Sequence, residues 1–248
     1  MSASAIRTTS YFATSRAPRY SVQFALPLLI VYEGLAALLG GDDGGTLRNG
    51  ADVLLRSMFT MVMGRDGSLV FIAVVVLVGV WFVGHDLKRS RGSLQPSIFF
   101  AMLAESAVLA IAFGIVVGAL TARILGLTHL LAMGHIEKAN WPTRLMLSLG
   151  AGLYEELFFR VILVSALAAG ARVLLGANGR LAGVLATVVG AVVFSAFHYI
   201  GPYGDPFQVQ SFAFRTISGV AFSALYLVRG FGITAWTHAL YDAFLLLF

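Results

Sequence analysis

The sequence predicts an all-α fold, a polytopic transmembrane helical bundle of about seven membrane helices with interfacial amphipathic helices beside them. Three observations carry this. The 248-residue chain is 58% hydrophobic and only 12% charged, with a mean hydropathy of +0.86, too apolar for an ordinary soluble domain. Its apolar runs reach the roughly 20 residues needed to cross a bilayer, and Gly, Pro and charged residues mark their ends. No internal repeat, low-complexity tract or soluble-domain composition interrupts them, so residues 1–248 read as a single membrane domain.

The first run, 20–40, follows Arg7, Arg16 and Arg19 and could be mistaken for a signal peptide. Its full spanning length and the Glu33 inside it favour an uncleaved helix. Further spans are expected at 68–85, 96–119, 143–170, 181–200, 210–228 and 231–248. Two connecting stretches, 45–66 and 120–141, mix apolar residues with scattered charge, the pattern of helices lying at a membrane interface. Residues 1–142 carry no recognised motif, and residues 143–248 hold the candidate chemistry.

Charge supports this membrane reading and sets a topology. The formal charge is +5, and the basic residues lie mostly in short loops, where they act as topology signals and headgroup contacts, with no nucleic-acid motif among them. One side takes Arg7, Arg16, Arg19, Lys88, Arg89, Arg91, Arg172, Arg180 and Arg229, nine in all. The other takes six, Arg48, Arg56, Arg65, Arg123, Lys138 and Arg144. The majority predicts a cytoplasmic N-terminus, in what reads as a bacterial cytoplasmic membrane. With no cysteine in the chain, disulfides, thiolate nucleophiles, zinc–thiolate sites and lipidated cysteines are excluded.

A charge at the bilayer centre costs about 2.5–3.5 kcal/mol on insertion scales, so ionisable residues inside the spans are functional candidates. They are Glu33, Glu105, Glu155, Glu156, Arg160, His198, Arg215, His238 and Asp242. Glu156 and Arg160 stand at i,i+4 and can neutralise each other along a helix. Glu155 is left over and must find a partner elsewhere or take up a proton. Phe194 and His198 share a face at the same spacing, as do His238 and Asp242. For Glu105 and Arg215, which belong to no motif, the expectation is a structural salt bridge, for instance with each other. His85, His129 and His135 are expected in solvated loops.

These residues carry a resemblance. "EELFFR", "FSAFH" and "HALYD" resemble, in order and on separate predicted helices, the EExxxR, FxxxH and HxxxN/D motifs of the CPBP family of intramembrane endopeptidases, which includes the type II CAAX prenyl proteases and bacterial Abi proteins. The resemblance implies that Glu155 and His198 activate a water, that Glu156 and Arg160 form a supporting pair, and that His238 and the residue at 242 make the oxyanion site; Phe194 is expected as packing that walls the pocket beside His198. An ionised Asp242 cannot donate to an oxyanion, so it is either protonated or accepts from His238 and fixes that ring's tautomer; the second is preferred. The implied substrate is a protein or peptide with a membrane-associated or lipidated C-terminal tail, and membrane lipid is the other partner.

Other chemistries use the same side chains. Glu and His residues are zinc ligands, but no HExxH pairs two histidines on a helix, and metal-independent, cofactor-free hydrolysis is expected. Neither a GxSG nor a GxGD signature occurs. Two readings from other classes remain open: a non-proteolytic scaffold or bacteriocin-immunity protein, and a transporter using the carboxylates as a proton relay.

Overall fold

A computed structural model describes residues 10–40, 47–89, 93–126, 139–201 and 204–245. Among them the secondary structure is helical throughout. A short α1 (Tyr11–Arg16) leads into α2 (Pro18–Leu39); α3 (Gly50–Met63), α4 (Gly67–Arg89) and α5 (Pro96–Leu125) follow. α6 (Trp141–Gly150) passes without a break into a segment of wide i→i+5 turns, Ala151–Val164, and then into α7 (Ser165–Leu175). The last three are α8 (Gly179–Phe197), α9 (Val209–Arg229) and α10 (Phe231–Leu245). Six helical stretches are long and apolar enough to cross a membrane, while α10 contributes 15 described residues. The protein is an integral membrane helical bundle.

Local chemistry explains the boundaries. Pro opens α2 and α5, where its missing N–H is no loss. Asn49, Asn140 and Asn178 cap α3, α6 and α8 through their side-chain oxygens. Asn49 lies within the first expected interfacial stretch, 45–66, of which Gly50–Met63 forms a helix. Its buried residues Ala51, Asp52 and Leu55 face protein, and α3 turns back on α4 at Gly64, whose φ of 67° suits glycine. The second stretch divides: α5 extends through Leu125, and residues 127–138, with His129 and His135, lie outside the described residues. His85 is in α4 and not in a loop, stacked at 5.5 Å on Trp81. No breaker precedes residue 89, and Lys88 and Arg89 suit the negative end of the helix.

α10 occupies the centre, packed against α2, α5, α6, α9 and the wide-turn segment. In lipid, helices gain little from apolar burial against each other, and small residues that admit close backbone approach matter more. Gly152 is such a point. A Cβ there would sit 2.3 Å from the Ala235 carbonyl oxygen and 2.6 Å from the Ala239 Cβ. The obstacle is backbone, which cannot swing aside. Gly152→Val is expected to lower the melting temperature of the detergent-solubilised protein, at a cost of about 1–3 kcal/mol or more for overpacking. Unchanged melting would show that the two helices are not in this contact.

Candidate active site

The wide-turn segment places Glu155, Glu156 and Arg160 in the interior, with Glu155 7% exposed and the other two 0%. Wide i→i+5 turns are rare in proteins and frequently mark functional sites. Because Gly152 seats this segment on α10, the side chain four residues on reaches His238. Glu156 Oε1 accepts from His238 Nδ1 at 2.7 Å and lies 3.1 Å from Arg160 Nη1. The second contact is an ion pair without hydrogen-bond alignment: the Arg160 nitrogens and Glu156 Oε2 have no hydrogen-bond partner among the described residues. Arg160 is held instead against the faces of Phe194 at 4.4 Å and Phe222 at 5.4 Å, a cation–π arrangement suited to a desolvated guanidinium.

Two histidines flank this core, each with its Nδ1 engaged. His198 ends α8 and donates from Nδ1 to the Phe194 carbonyl oxygen at 2.8 Å. A carbonyl can only accept, so the neutral ring keeps its lone pair on Nε2. His238 stacks on Phe222 with ring centroids 4.2 Å apart and donates from Nδ1 to the Glu156 carboxylate. Its Nε2 lies 3.7 Å from Asp242 Oδ2, too far for a hydrogen bond. The expectation that Asp242 fixes the His238 tautomer is therefore corrected. The i,i+4 spacing on α10 leaves the pair apart, and Glu156, expected as the supporting partner of Arg160, takes the role from another helix. Phe194 lies edge-on to His198 at 4.9 Å and 6.5 Å from His238, so its ring stands beside both.

Glu155 finds its partner outside the three motifs. Asn49 Nδ2 donates to Glu155 Oε1 at 2.8 Å, while the same amide's Oδ1 accepts from Ala51 N at 2.9 Å as the α3 cap. Behind Asn49 stands a network. Its N–H donates to Tyr32 Oη, which donates to Asp52; Arg48 and Arg56 each pair with both Asp52 and Glu33, and Tyr154 Oη donates to Glu33. Burial works against the charge on Arg48, but hydrogen bonds to Glu33 and Asp52 hold its guanidinium above its ordinary value, and it stays cationic. Two carboxylates and two guanidiniums close the charge balance. The residues before 142, which carry no motif, thus supply the bracket for Glu155. The signal was present in "RNGADVLLR": an Asn cap, then Arg48, Asp52 and Arg56 at successive i,i+4 steps.

Asn49→Ala is expected to lower turnover by the equivalent of about 1.5–3 kcal/mol, the worth of a hydrogen bond to a charged group. Loss of the α3 cap should cost a further ~1 kcal/mol of stability. Asn49→Ser separates the two, since serine can cap but is too short to reach Glu155. Equal activity of the Ser variant and the parent would rule out the bracket.

The expected pairing of Glu105 with Arg215 is not made. Arg229 holds Glu105 through Nε at 2.6 Å and Nη2 at 2.7 Å, with Tyr11 Oη donating to the same carboxylate; Arg215 pairs with Asp205 at 2.5 Å. α5 and α9 run antiparallel, meeting where Phe113 stacks on Phe222 at 4.0 Å. Positions before 113 on α5 therefore face positions after 222 on α9, and Arg215 is at the wrong end. Among the described residues no three His, Asp or Glu side chains converge as a metal-ligand group.

Comparison with known proteins bears on this half of the molecule. Residues 137–244 match the family described as "Rce1-like: Type II CAAX prenyl endopeptidase Rce1-like". No curated protein and no solved structure matches the chain. The matched stretch holds "EELFFR", "FSAFH" and "HALYD" together with the helices that carry them. Over residues 137–244 the chain is similar to the Rce1-like, type II CAAX prenyl endopeptidase family, and this similarity supports a CAAX-type intramembrane protease at the family level.

Proposed function

We propose that the protein is a glutamate-type intramembrane endopeptidase. It hydrolyses a peptide bond near the C-terminus of a membrane-associated or lipidated protein. The observation that carries this is the division of the charged cluster: Glu156 is committed to Arg160 and His238, whereas Glu155 has one oxygen on Asn49 and the other left for a water. In this reading Glu155 Oε2 and the His198 Nε2 lone pair take the proton of a water that attacks the scissile carbonyl. The oxygen of that carbonyl gains charge and is stabilised from His238 Nε2. Donation from Nε2 requires the doubly protonated ring, with Nδ1–H on Glu156 and Nε2–H on the substrate oxygen. Asp242, 3.7 Å from Nε2, stabilises that cation without competing for its hydrogen bond. Collapse of the tetrahedral intermediate breaks the C–N bond, and the proton held by Glu155 goes to the leaving amine.

The setting is a bacterial cytoplasmic membrane with the N-terminus in the cytoplasm and substrate entering laterally from lipid. With that topology His198 lies toward the extracytoplasmic side. Asn49 lies on the same side, because a Cβ at Gly50 would come within 3.1 Å of the Phe197 ring. Mapping of membrane-protein C-termini in cells carrying the parent chain or Glu155→Ala tests the reading. At least one terminus is expected to depend on Glu155, and none doing so would defeat the protease assignment. Cleavage that survives a chelator supports water activated by Glu155, and cleavage that stops transfers the role to a bound metal.

A further inference from the structure

We propose that Arg215 and Tyr199 form an anchor for the free carboxylate at the substrate's C-terminus, which would make the enzyme selective for a true chain end. The inference deepens the proposed peptidase function and rests on it for the identity of the ligand. It starts from two donors. Arg215 Nη1 and Tyr199 Oη are both buried, and neither has a hydrogen-bond partner among the described residues. They are neighbours, with the Arg215 guanidinium carbon 5.3 Å from the centre of the Tyr199 ring. Leaving a buried donor unmade costs about 1–3 kcal/mol each, and two side by side mark a place for an acceptor.

The surroundings favour an anionic acceptor. Arg215 is already oriented by Asp205, whose carboxylate takes Nη2 at 2.5 Å. Asp205 is itself tied to the end of α8, since its N–H donates to the His198 carbonyl oxygen at 2.9 Å. A guanidinium presents five donors in a rigid fork and can serve a second carboxylate from its other edge. A point charge would not offer that second edge. Tyr199 directly follows His198, and Arg215 is tied to the same helix end through Asp205, so both donors stand at the His198 end of α8. Arg215 and Asp205 are 17% and 20% exposed, open enough for an incoming chain end. A peptide carboxylate at membrane depth needs a cationic partner, and Arg215 combines a spare donor with partial exposure, whereas the unbonded nitrogens of Arg160 are fully buried against Glu156.

The test uses the full-length Glu155→Gln protein in detergent micelles and a fluorescent prenylated peptide made in two forms, one ending in a free carboxylate and one in a carboxamide. The acid is expected to bind at least tenfold more tightly than the amide. Arg215→Gln should abolish that preference, Arg215→Lys should retain part of it, and Tyr199→Phe should reduce it several-fold. The acid-to-amide comparison in the Glu155→Gln protein needs no change at the anchor, so misfolding of an Arg215 variant does not decide the outcome. Equal binding of the two forms, binding of neither, or a preference that survives Arg215→Gln overturns the anchor. The peptidase reading is separable: an Arg215-dependent preference for the acid in a protein that cleaves no peptide leaves the anchor standing and removes the reaction.

Discussion

Glu155→Gln is expected to lower kcat/KM by about 10²–10⁴-fold, the range lost with a general base, on a substrate found by terminus mapping, while the melting temperature stays within about 1–2 °C of the parent. The asymmetry follows from the contacts. A glutamine at 155 keeps the shape of the side chain, and its carbonyl oxygen can still accept from Asn49 Nδ2, so the hydrogen bond that seats the group survives. What disappears is the second carboxylate oxygen as a proton acceptor. Glutamine has no basic lone pair to offer a water, and His198 alone, with Nδ1 held by the Phe194 carbonyl, lacks the negative charge that would assist removal of the proton. A variant with parental activity would mean that Glu155 is structural. Stability and activity falling together would mean that the carboxylate holds the bundle and does no chemistry.

Glu156 should behave in the opposite way. Glu156→Gln is expected to destabilise the protein by about 3–5 kcal/mol, because Arg160, 0% exposed, is left with an uncompensated buried charge. It should also lower activity, since His238 Nδ1 loses the carboxylate that orients it. A second change separates the two effects. In Glu156→Gln/Arg160→Met both buried charges are gone and an apolar side chain faces Phe194 and Phe222, where the guanidinium lay. Replacing a buried pair by apolar groups of similar volume is often neutral or stabilising, so melting should recover most of the way toward the parent. Activity should not recover, because His238 still faces an amide. A double variant with both stability and activity restored would show that Glu156 serves Arg160 alone.

The bundle itself was legible in the chain. Apolar runs of bilayer length with Gly, Pro, Asn and basic residues at their ends leave few alternatives, and each of the seven expected spans corresponds to a helix or continuous helical stretch in the structure. The i,i+4 pair Glu156–Arg160 was legible too, being a property of one helix; its 3.1 Å separation needed no knowledge of neighbours. Contacts between helices were not. Spacing put His238 with Asp242, yet the ring is held by Glu156 from another helix, and the cause is Gly152, whose missing side chain seats one backbone on the next. Nothing in a single helix encodes that distance. The same holds for Glu105, matched to Arg229 by the antiparallel course of α5 and α9.

By itself the sequence determined which residue types had to be explained, namely the charges within apolar runs, and which of them a single helix could satisfy. Glu155 was the remainder. Only the tertiary structure decided where that remainder went: to Asn49, on a segment whose polar residues looked like an amphipathic surface and are the inward-facing bracket of the site. The physical reason is that local periodicity reports which face of a helix is polar, while the partner on that face depends on how closely neighbouring backbones can approach.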